Sequence, residues 1–486
     1  MLASHKWLVE LMGFELAPAE LAKKLTSGGI EVETTRTYGE NLAGVVVAEV
    51  RDKKPHPQRD KLSLVTVFDG VETQEVVCGA PNVPHAGGLV AFARIGAVLP
   101  NGMKIEERKL GGVVSRGMIC SEQELDIGAD GDGILILERG PRVVAGTPLA
   151  DALSLRDTVY TLGLTPNRPD CLGHVGLARE LCALIGDDKK SFSFPKPRSP
   201  RRVVSTTTPL WKESASAFSL ANHYGSMSAE PVALPKTGVS PVGVQIAAPD
   251  RCPRYGAALV TSVTIKPSPF AVRYRLHVLG LRAISNVVDA TNLILLGFGH
   301  PIHAFDLAKL RGSRIDVRLA KAGETMHTLD GQERKLEADD LLICDGEGPV
   351  ALAGVMGGAN SEIGAGTEHV LIECAFFDPR SVRRTSKRTG LHTDSSHRFE
   401  RGIDSSDVRE VLAHAAALIA ELSGGAVVPD AVDAYPKPLA KRQTTFRTAQ
   451  ARALLGCEVD GSRARAIFER LGCKVSGSKE QQSVTL

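Results

Sequence analysis

The feature that most constrains the fold is a change of pattern within the first 190 residues. Helical spacing of Trp7, Leu8, Leu11, Leu21 and Leu25 gives way to short β-rich runs separated by glycine, proline and asparagine. These runs cover 45–50, 62–67, 75–78, 88–93 and 104–109. Such spacing is typical of a small Greek-key barrel or sandwich. Helical spacing returns at 172–185, which predicts a barrel inserted into a helical unit.

The rest of the chain divides further. We predict an N-terminal helical unit at 1–40 completed by 151–190, a barrel at 41–150, and a linker rich in proline, arginine, serine and threonine at 191–243. A mixed α/β module at 244–402 and a small helix-rich domain at 403–486 follow. The second begins with an amphipathic, alanine-rich helix predicted at 407–424. The fold class is therefore α+β multidomain. Strand patterns begin at Lys474 and Ser483, so the sequence indicates an unfinished hairpin at its end, which predicts truncation.

Composition narrows the partners and the compartment. Lysine and arginine number 58 against 56 aspartates and glutamates, so any nucleic-acid surface must be a local patch. No apolar run reaches the ~20 residues of a membrane helix, which predicts no membrane association. The nine cysteines are scattered without a C-x-x-C pair. This usage predicts a reduced, cytoplasmic protein.

Two basic clusters are candidates for binding a phosphate backbone. Lys53, Lys61 and Arg116 lie in the barrel segment, and Arg383, Arg384, Lys387 and Arg388 stand within six residues. In both cases the alternative is an ordinary solvated surface. His300 and His303 have the spacing of a metal pair, but no carboxylate or thiol completes a site. We therefore predict no metal site.

Several motifs in a fixed order resemble one family. The motifs are WLVEL at 7–11, HP at 56–57, CGAPN at 78–82, SRGMICS at 115–121, TPNRPDCL at 165–172, NVVDATN at 286–292, HPIHAFD at 300–306, TLDG at 328–331, ECAFF at 373–377 and TDSSHRFERG at 393–402. Together they resemble the β subunit of bacterial phenylalanyl-tRNA synthetases over nearly the whole chain. The segment 41–150 is then similar to an OB-fold tRNA-binding domain, and the last domain to a winged helix.

The resemblance implies a function and partners. The family joins phenylalanine to its tRNA with ATP and Mg²⁺ in a complex of two α and two β subunits, with synthesis in α. The β subunit binds tRNA and hydrolyses mischarged tyrosyl-tRNA at an editing site. This implies partners of tRNA and the α subunit, with no DNA. The family's magnesium ligands match no residue of this chain, and ATP is expected to bind only in the complete ligase.

The resemblance also assigns a pocket. His303, Arg282, Thr291 and Asn292 match the residues that hold the ester and a water, while Glu373 would accept a hydrogen bond from the tyrosine phenol. Gly357, Gly358, Thr393 and Ser395 match the amino-acid cavity. Ser395 departs from the family's usual alanine, which predicts an added polar contact and an altered selectivity. Two alternatives stay open: a free-standing aminoacyl-tRNA deacylase, and a tRNA-binding protein without catalysis.

Overall fold

The computed structural model describes residues 1–185, 226–228 and 242–485. Its strands are β1 (Leu2–Ser4), β2 (Glu31–Tyr38), β3 (Val45–Pro55), β4 (Ser63–Phe68), β5 (Thr73–Cys78), β6 (Leu89–Ala93), β7 (Arg108–Leu110), β8 (Val113–Ser115), β9 (Met118–Ile119), β10 (Ile136–Leu137), β11 (Asp157–Gly163), β12 (Ser226–Ser228), β13 (Gly243–Ile246), β14 (Arg254–Thr261), β15 (Ile302–Asp306), β16 (Arg314–Leu319), β17 (Thr325–His327), β18 (Glu333–Lys335), β19 (Leu341–Cys344), β20 (Pro349–Leu352), β21 (Met356–Gly357), β22 (His369–Phe376), β23 (Ala426–Ala434), β24 (Gln443–Arg447), β25 (Lys474–Gly477) and β26 (Gln481–Thr485). Its α-helices are α1 (His5–Met12), α2 (Pro18–Ser27), α3 (Leu149–Ala152), α4 (His174–Ile185), α5 (Phe270–Val278), α6 (Asn286–Phe298), α7 (Pro379–Thr389), α8 (Asp394–Phe399), α9 (Val408–Ser423), α10 (Thr448–Leu455) and α11 (Gly461–Arg470).

The N-terminal unit joins two distant stretches of chain. β11 lies between β1 and β2 in one antiparallel sheet, against which α1, α2 and α4 build a shared core. Ser4 caps α1 by accepting a hydrogen bond from the backbone N–H of Trp7, because the first N–H groups of a helix lack partners within it. Residues on both sides of the barrel therefore form one unit.

The inserted barrel is nearly closed. Its main sheet has the order β10-β6-β3-β4-β5, and the backbone N–H of Arg116 reaches back to the carbonyl of Glu75 on the far edge. Inward residues alternate along β3, where Val46, Ala48 and Val50 are buried together. Four of the five predicted strands are present. The fifth is wrong over most of its length, because β7 (Arg108–Leu110) shares only Arg108 and Lys109 with the stretch predicted at 104–109.

The central module is built around two sheets and the helices α6 and α9. A five-stranded sheet of order β12-β23-β14-β22-β15 buries one face against α6 and α9, in agreement with the predicted helix at 407–424. Its other face packs on a second five-stranded sheet of order β13-β16-β19-β20-β21. The alternation of side chains along a strand therefore decides which core each residue joins.

The last unit is a three-stranded sheet of order β24-β26-β25 with α10 and α11 between its first two strands in sequence. The two strands predicted at the end of the sequence are present as β25 and β26, which pair from Lys474 opposite Thr485 onward, and β26 also pairs with β24 on its other side. The predicted linker at 191–243 falls almost entirely outside the described residues. None of the described helices is long and apolar enough to cross a membrane.

Candidate functional site

A pocket of about 300 Å³ opens at the edge of the central sheet. It lies between β15 and β22, the helix α6, the chain from Ala351 to Gly357 and the first turn of α8. Seven of the nine predicted pocket residues line it: Thr291, Asn292, His303, Gly357, Glu373, Thr393 and Ser395. The structure therefore brings together residues that are separated by up to about a hundred positions in sequence.

His303 and Glu373 stand directly opposite each other in the antiparallel pair of β15 and β22. Directly opposed residues in such a pair project from the same face of the sheet. Both side chains line the pocket, and Nε2 of His303 and Oε2 of Glu373 are buried without a hydrogen-bond partner among the described residues. Buried polar atoms without partners are uncommon in folded proteins. The pocket therefore presents two polar atoms that a ligand can satisfy.

The Glu373 carboxyl is 5% exposed and has no basic residue bonded to it among the described residues. Burial raises the pKa of Glu373 to about 8, an effect that the neighbouring Tyr255 hydroxyl partly offsets. The protonated form of a carboxyl can both donate and accept a hydrogen bond. At neutral pH the floor of the pocket is therefore a largely neutral carboxylic acid.

The His303 imidazole is neutral at the same pH. Burial lowers the pKa of His303 to about 4, and its ring meets Phe305 edge to face with centroids 4.5 Å apart. A Cβ at Gly357 would lie 2.5 Å from Cε1 of this ring. Only glycine fits at position 357 without displacing the imidazole, which gives the predicted Gly357 a physical role in the pocket.

The first turn of α8 forms the opposite wall. Thr393 caps this helix and donates its hydroxyl to the carbonyl of Val355 at 2.8 Å. Ser395 donates to the carbonyl of Gly354 at 3.1 Å. The extra hydroxyl at Ser395 is thus used in a bond that ties α8 to the chain leading into Gly357.

Two predicted residues are not brought to the pocket wall. Arg282 is exposed in the loop before α6 and does not line the pocket. Gly358 follows the lining residue Gly357, but its backbone N–H donates to the carbonyl of Val350 at 2.8 Å. A Cβ at Gly358 would lie 2.6 Å from that carbonyl oxygen, so this glycine permits close packing of two chain segments.

Residues that the sequence did not single out complete the pocket. Leu329, Met356 and Phe399 supply apolar lining, and Asp394 stands at its rim. Leu329, Asp394 and Phe399 belong to motifs noted in the sequence, but nothing in their local pattern distinguishes residues that line the pocket from residues that pack in the core. Tyr255 was also missed. On β14, Ala257 stands opposite Glu373, and Tyr255 lies two residues earlier on the same face. That position indicates a contact with Glu373 only once the strand register is known.

The predicted basic residues fall into two groups. In the second cluster Arg384 pairs with Asp339, and Arg388 pairs with Asp340 and Glu337. Arg383 and Lys387 are exposed on the same helix α7 without an ion pair among the described residues. In the barrel, Lys61 is exposed, Lys53 donates to the carbonyl of Val83, and Arg116 pairs with Glu107.

One group of residues in the described part of the chain has the donor atoms of a metal site. It consists of Asp170, Cys171 and Glu180. The guanidinium of Arg168 lies among them, donating to Asp170 at 2.8 Å and to Glu180 at 2.7 Å. The Arg168 guanidinium already occupies these carboxylate oxygens, so the group does not fit Mg²⁺. The group also lies outside the pocket.

Comparisons with known proteins show which families the chain resembles. A family model described as a putative tRNA binding domain matches residues 45–147, which is the barrel, and a B3/4 domain model matches 251–424, which contains the pocket. The phenylalanine–tRNA ligase beta subunit of Geobacter metallireducens is 46% identical over 98% of this chain and 55% of its own length.

Other relatives agree. The same-named proteins of Geobacter sulfurreducens and Halalkalibacterium halodurans are 45% and 40% identical, over 97% and 100% of this chain and 54% and 56% of theirs. A solved N-terminal fragment of the Pyrococcus horikoshii phenylalanyl-tRNA synthetase beta subunit aligns over 100% of this chain and 92% of its own at 12% identity, with a TM-score of 0.36, a likeness too weak to bear on the fold. The chain spans about half the length of the curated relatives it matches. Over that span, the chain belongs to the phenylalanine–tRNA ligase beta subunit family.

Proposed function

We propose that the chain serves as a beta subunit of phenylalanine–tRNA ligase and hydrolyses mischarged tyrosyl-tRNA in the pocket described above. In this proposal two α and two β subunits assemble in the cytoplasm, and the α subunit attaches phenylalanine to tRNA with ATP and Mg²⁺. The observation that carries the hydrolytic part is the pair His303 and Glu373, opposed on one sheet face with unpartnered polar atoms in one pocket among the described residues.

Selectivity follows from the Glu373 carboxyl. Tyrosine differs from phenylalanine by a phenol hydroxyl, which an apolar synthetic pocket rejects only weakly, by roughly a hundredfold. In the pocket a phenol would satisfy the buried Oε2 of Glu373, whereas phenylalanine would leave it unpaired. An unsatisfied buried polar group costs about 1–3 kcal/mol, and the penalty falls on the correct amino acid. The pocket would therefore retain tyrosine and release phenylalanine.

Hydrolysis needs a water aimed at the ester carbonyl. The neutral imidazole of His303 offers Nε2 as an acceptor for a water proton or for a hydroxyl of the ribose. Attack by water at the carbonyl carbon forms a C–O bond, and collapse of the tetrahedral intermediate breaks the bond to the ribose oxygen. The products are tyrosine and tRNA with a free terminal hydroxyl. Thr291 and Asn292 on α6 would hold the ester in place, with Arg282 meeting the tRNA outside the pocket.

The two basic groups would bind the tRNA backbone. Lys53, Lys61 and Arg116 belong to the barrel, whose match to a tRNA binding domain supports this role. On α7, Arg383 and Lys387 would contact phosphate directly, while Arg384 and Arg388 hold the acidic loop at 337–340. The strand and helix order from β24 to β26 further supports a winged-helix domain, with no DNA partner proposed for it.

The test uses the purified chain and phenylalanine-specific tRNA that has been mischarged with tyrosine, with and without the α subunit. We expect release of tyrosine, reduced at least tenfold by His303→Ala and by Glu373→Ala. His327→Ala and Glu333→Ala, on the exposed hairpin of β17 and β18, are matched controls. Absence of hydrolysis under both conditions would refute the editing proposal. Equal rates with and without α would instead favour a free-standing deacylase, and unchanged rates in both pocket variants would favour a tRNA-binding role without catalysis.

A further inference from the structure

A second cavity, of about 460 Å³, adjoins the pocket. It lies between the N-terminal unit and the central module, a position where ligand sites are common. One wall is apolar and consists of Leu2, Leu172, Leu279, Leu281 and Leu296. The facing wall is polar and is formed by α8 and the residues that flank it. Neither the candidate pocket nor the basic clusters account for this cavity.

The polar wall contains a buried arginine. Arg398 is 3% exposed, and its Nε donates to the carbonyl of Leu172 at 3.2 Å. Its Nη1 donates to the backbone carbonyl and carboxylate of Asp394, at 3.0 and 2.8 Å. These bonds fix the plane of the guanidinium, while Nη2 has no hydrogen-bond partner among the described residues. A guanidinium held in this way suits a phosphate or carboxylate oxygen.

Each carboxylate that lines the cavity is paired with an arginine. Of its two carboxylates, Asp394 is paired with Arg398, and Glu400 is paired with Arg401 at 2.6 Å. His392 and His397 also line the cavity and offer rings that can stack on a base. The N-terminal amine of Met1 donates to the carbonyl of Leu162 at the same junction. The cavity therefore combines one oriented cationic donor with flat and apolar surfaces.

The two cavities are neighbours along one wall. Thr393 and Asp394 line both, and the consecutive residues Leu295 and Leu296 of α6 face one each. A ligand whose amino-acid part enters the first pocket has its next chemical group at this shared wall. In an aminoacyl-tRNA that group is the terminal nucleotide, which carries a base, a ribose and a phosphate.

We propose that the second cavity binds the terminal nucleotide of the tRNA, with its phosphate on Arg398 and its base between the leucine wall and the histidines. This inference rests on the proposed function. It assigns Arg398 a substrate-binding role and gives the ester a fixed orientation, because base and amino acid are held in adjoining cavities. Positioning of this kind contributes strongly to the rate of a reaction.

Calorimetric titration of the full chain with adenosine 5′-monophosphate and with adenosine tests the proposal. We expect the nucleotide to bind about tenfold tighter than the nucleoside, because its phosphate adds a charge-assisted hydrogen bond to Arg398. Leu281→Trp, which fills the cavity from a half-buried position, is expected to weaken nucleotide binding at least tenfold. Leu454→Trp is the matched control, since Leu454 is 85% exposed on α10.

Hydrogen exchange on the unsubstituted chain keeps the test independent of how the variants fold. We expect adenosine 5′-monophosphate to slow exchange at 279–282 and 392–400 more than at 443–485. No nucleotide binding, or slowed exchange elsewhere only, would overturn the inference while tyrosyl-tRNA hydrolysis still supported the proposed function. Binding as predicted in a chain that fails to hydrolyse tyrosyl-tRNA would support a nucleotide cavity and refute the editing function.

Discussion

Replacing Glu373 with glutamine should stabilise the central sheet, and increasingly so as the pH rises. A carboxyl with an ordinary pKa of 4.5 has its pKa raised to about 8 in the folded chain by burial. Between these values the folded state binds more protons than the unfolded state, so stability falls as pH rises. Glutamine keeps the shape of the side chain and its hydrogen-bonding capacity but cannot ionise.

The magnitude follows from the two pKa values. Integrating the proton linkage from pH 5 to pH 9 gives a loss of about 4 kcal/mol for the native glutamate, which Glu373→Gln removes. From pH 5 to pH 9, the difference between the native protein and Glu373→Gln in the free energy of local opening at β22 should widen by about that amount. Contributions from all other titrating groups are common to both proteins and cancel in the comparison.

Native-state hydrogen exchange in β22 is the suitable assay, because a chain with several units does not unfold in one step. Exchange rates of the peptide 369–376 are compared between the native protein and Glu373→Gln at the same pH, so that intrinsic pH effects cancel. Glu333→Gln, on an exposed strand, provides the control and should show no trend. A difference between the native protein and Glu373→Gln that stays flat from pH 5 to 9 would refute the reasoning that this carboxyl is neutral.

Three further outcomes are expected. Gly357→Ala should reduce tyrosyl-tRNA hydrolysis at least tenfold with tRNA binding unchanged, because the new methyl group displaces His303. Gly366→Ala is the control and should have no effect in the same rate assay, since Gly366 has open space around it. Ser395→Ala should lower the free energy of opening by ~1 kcal/mol, measured by hydrogen exchange at 394–399, since one hydrogen bond is lost. Lys387→Ala should weaken tRNA binding and reduce the slope of log affinity against log salt by about 1, as measured by filter binding.

The parts of the fold that local pattern determines were predictable from the sequence. Glycine- and proline-bounded runs predicted four barrel strands, and apolar periodicity predicted α9 at 408–423 within a residue at each end. The prediction at 104–109 failed over most of its length because strand pairing there begins only at Arg108, opposite Ser115. Strand pairing depends on a partner elsewhere in the chain, which a local pattern does not specify.

The candidate pocket could be assembled only by resemblance, since its residues derive their proximity from register. His303 and Glu373 meet because β15 pairs with β22 in one register, and a shift by one residue would direct one of them into the opposite core. Neither residue type nor spacing in the sequence encodes that choice. The bond from Ser395 to Gly354 was equally inaccessible, because it joins a helix start to a turn about forty residues away.

The walls of the pocket also depend on the N-terminal unit, which lies far from them in sequence. His174 is fully buried against Trp7, accepts from the backbone N–H of Ser4 at Nε2, and therefore donates from Nδ1 to the carbonyl of Leu296 at 2.8 Å. Two residues earlier, the carbonyl of Leu172 accepts from Arg398. The short turn from Leu172 to His174 thus binds both the end of α6 and the Arg398 side chain of α8. These two helices form opposite walls of the pocket. A fragment limited to the B3/4 match at 251–424 lacks both bonds, so the geometry of the pocket belongs to the two units together.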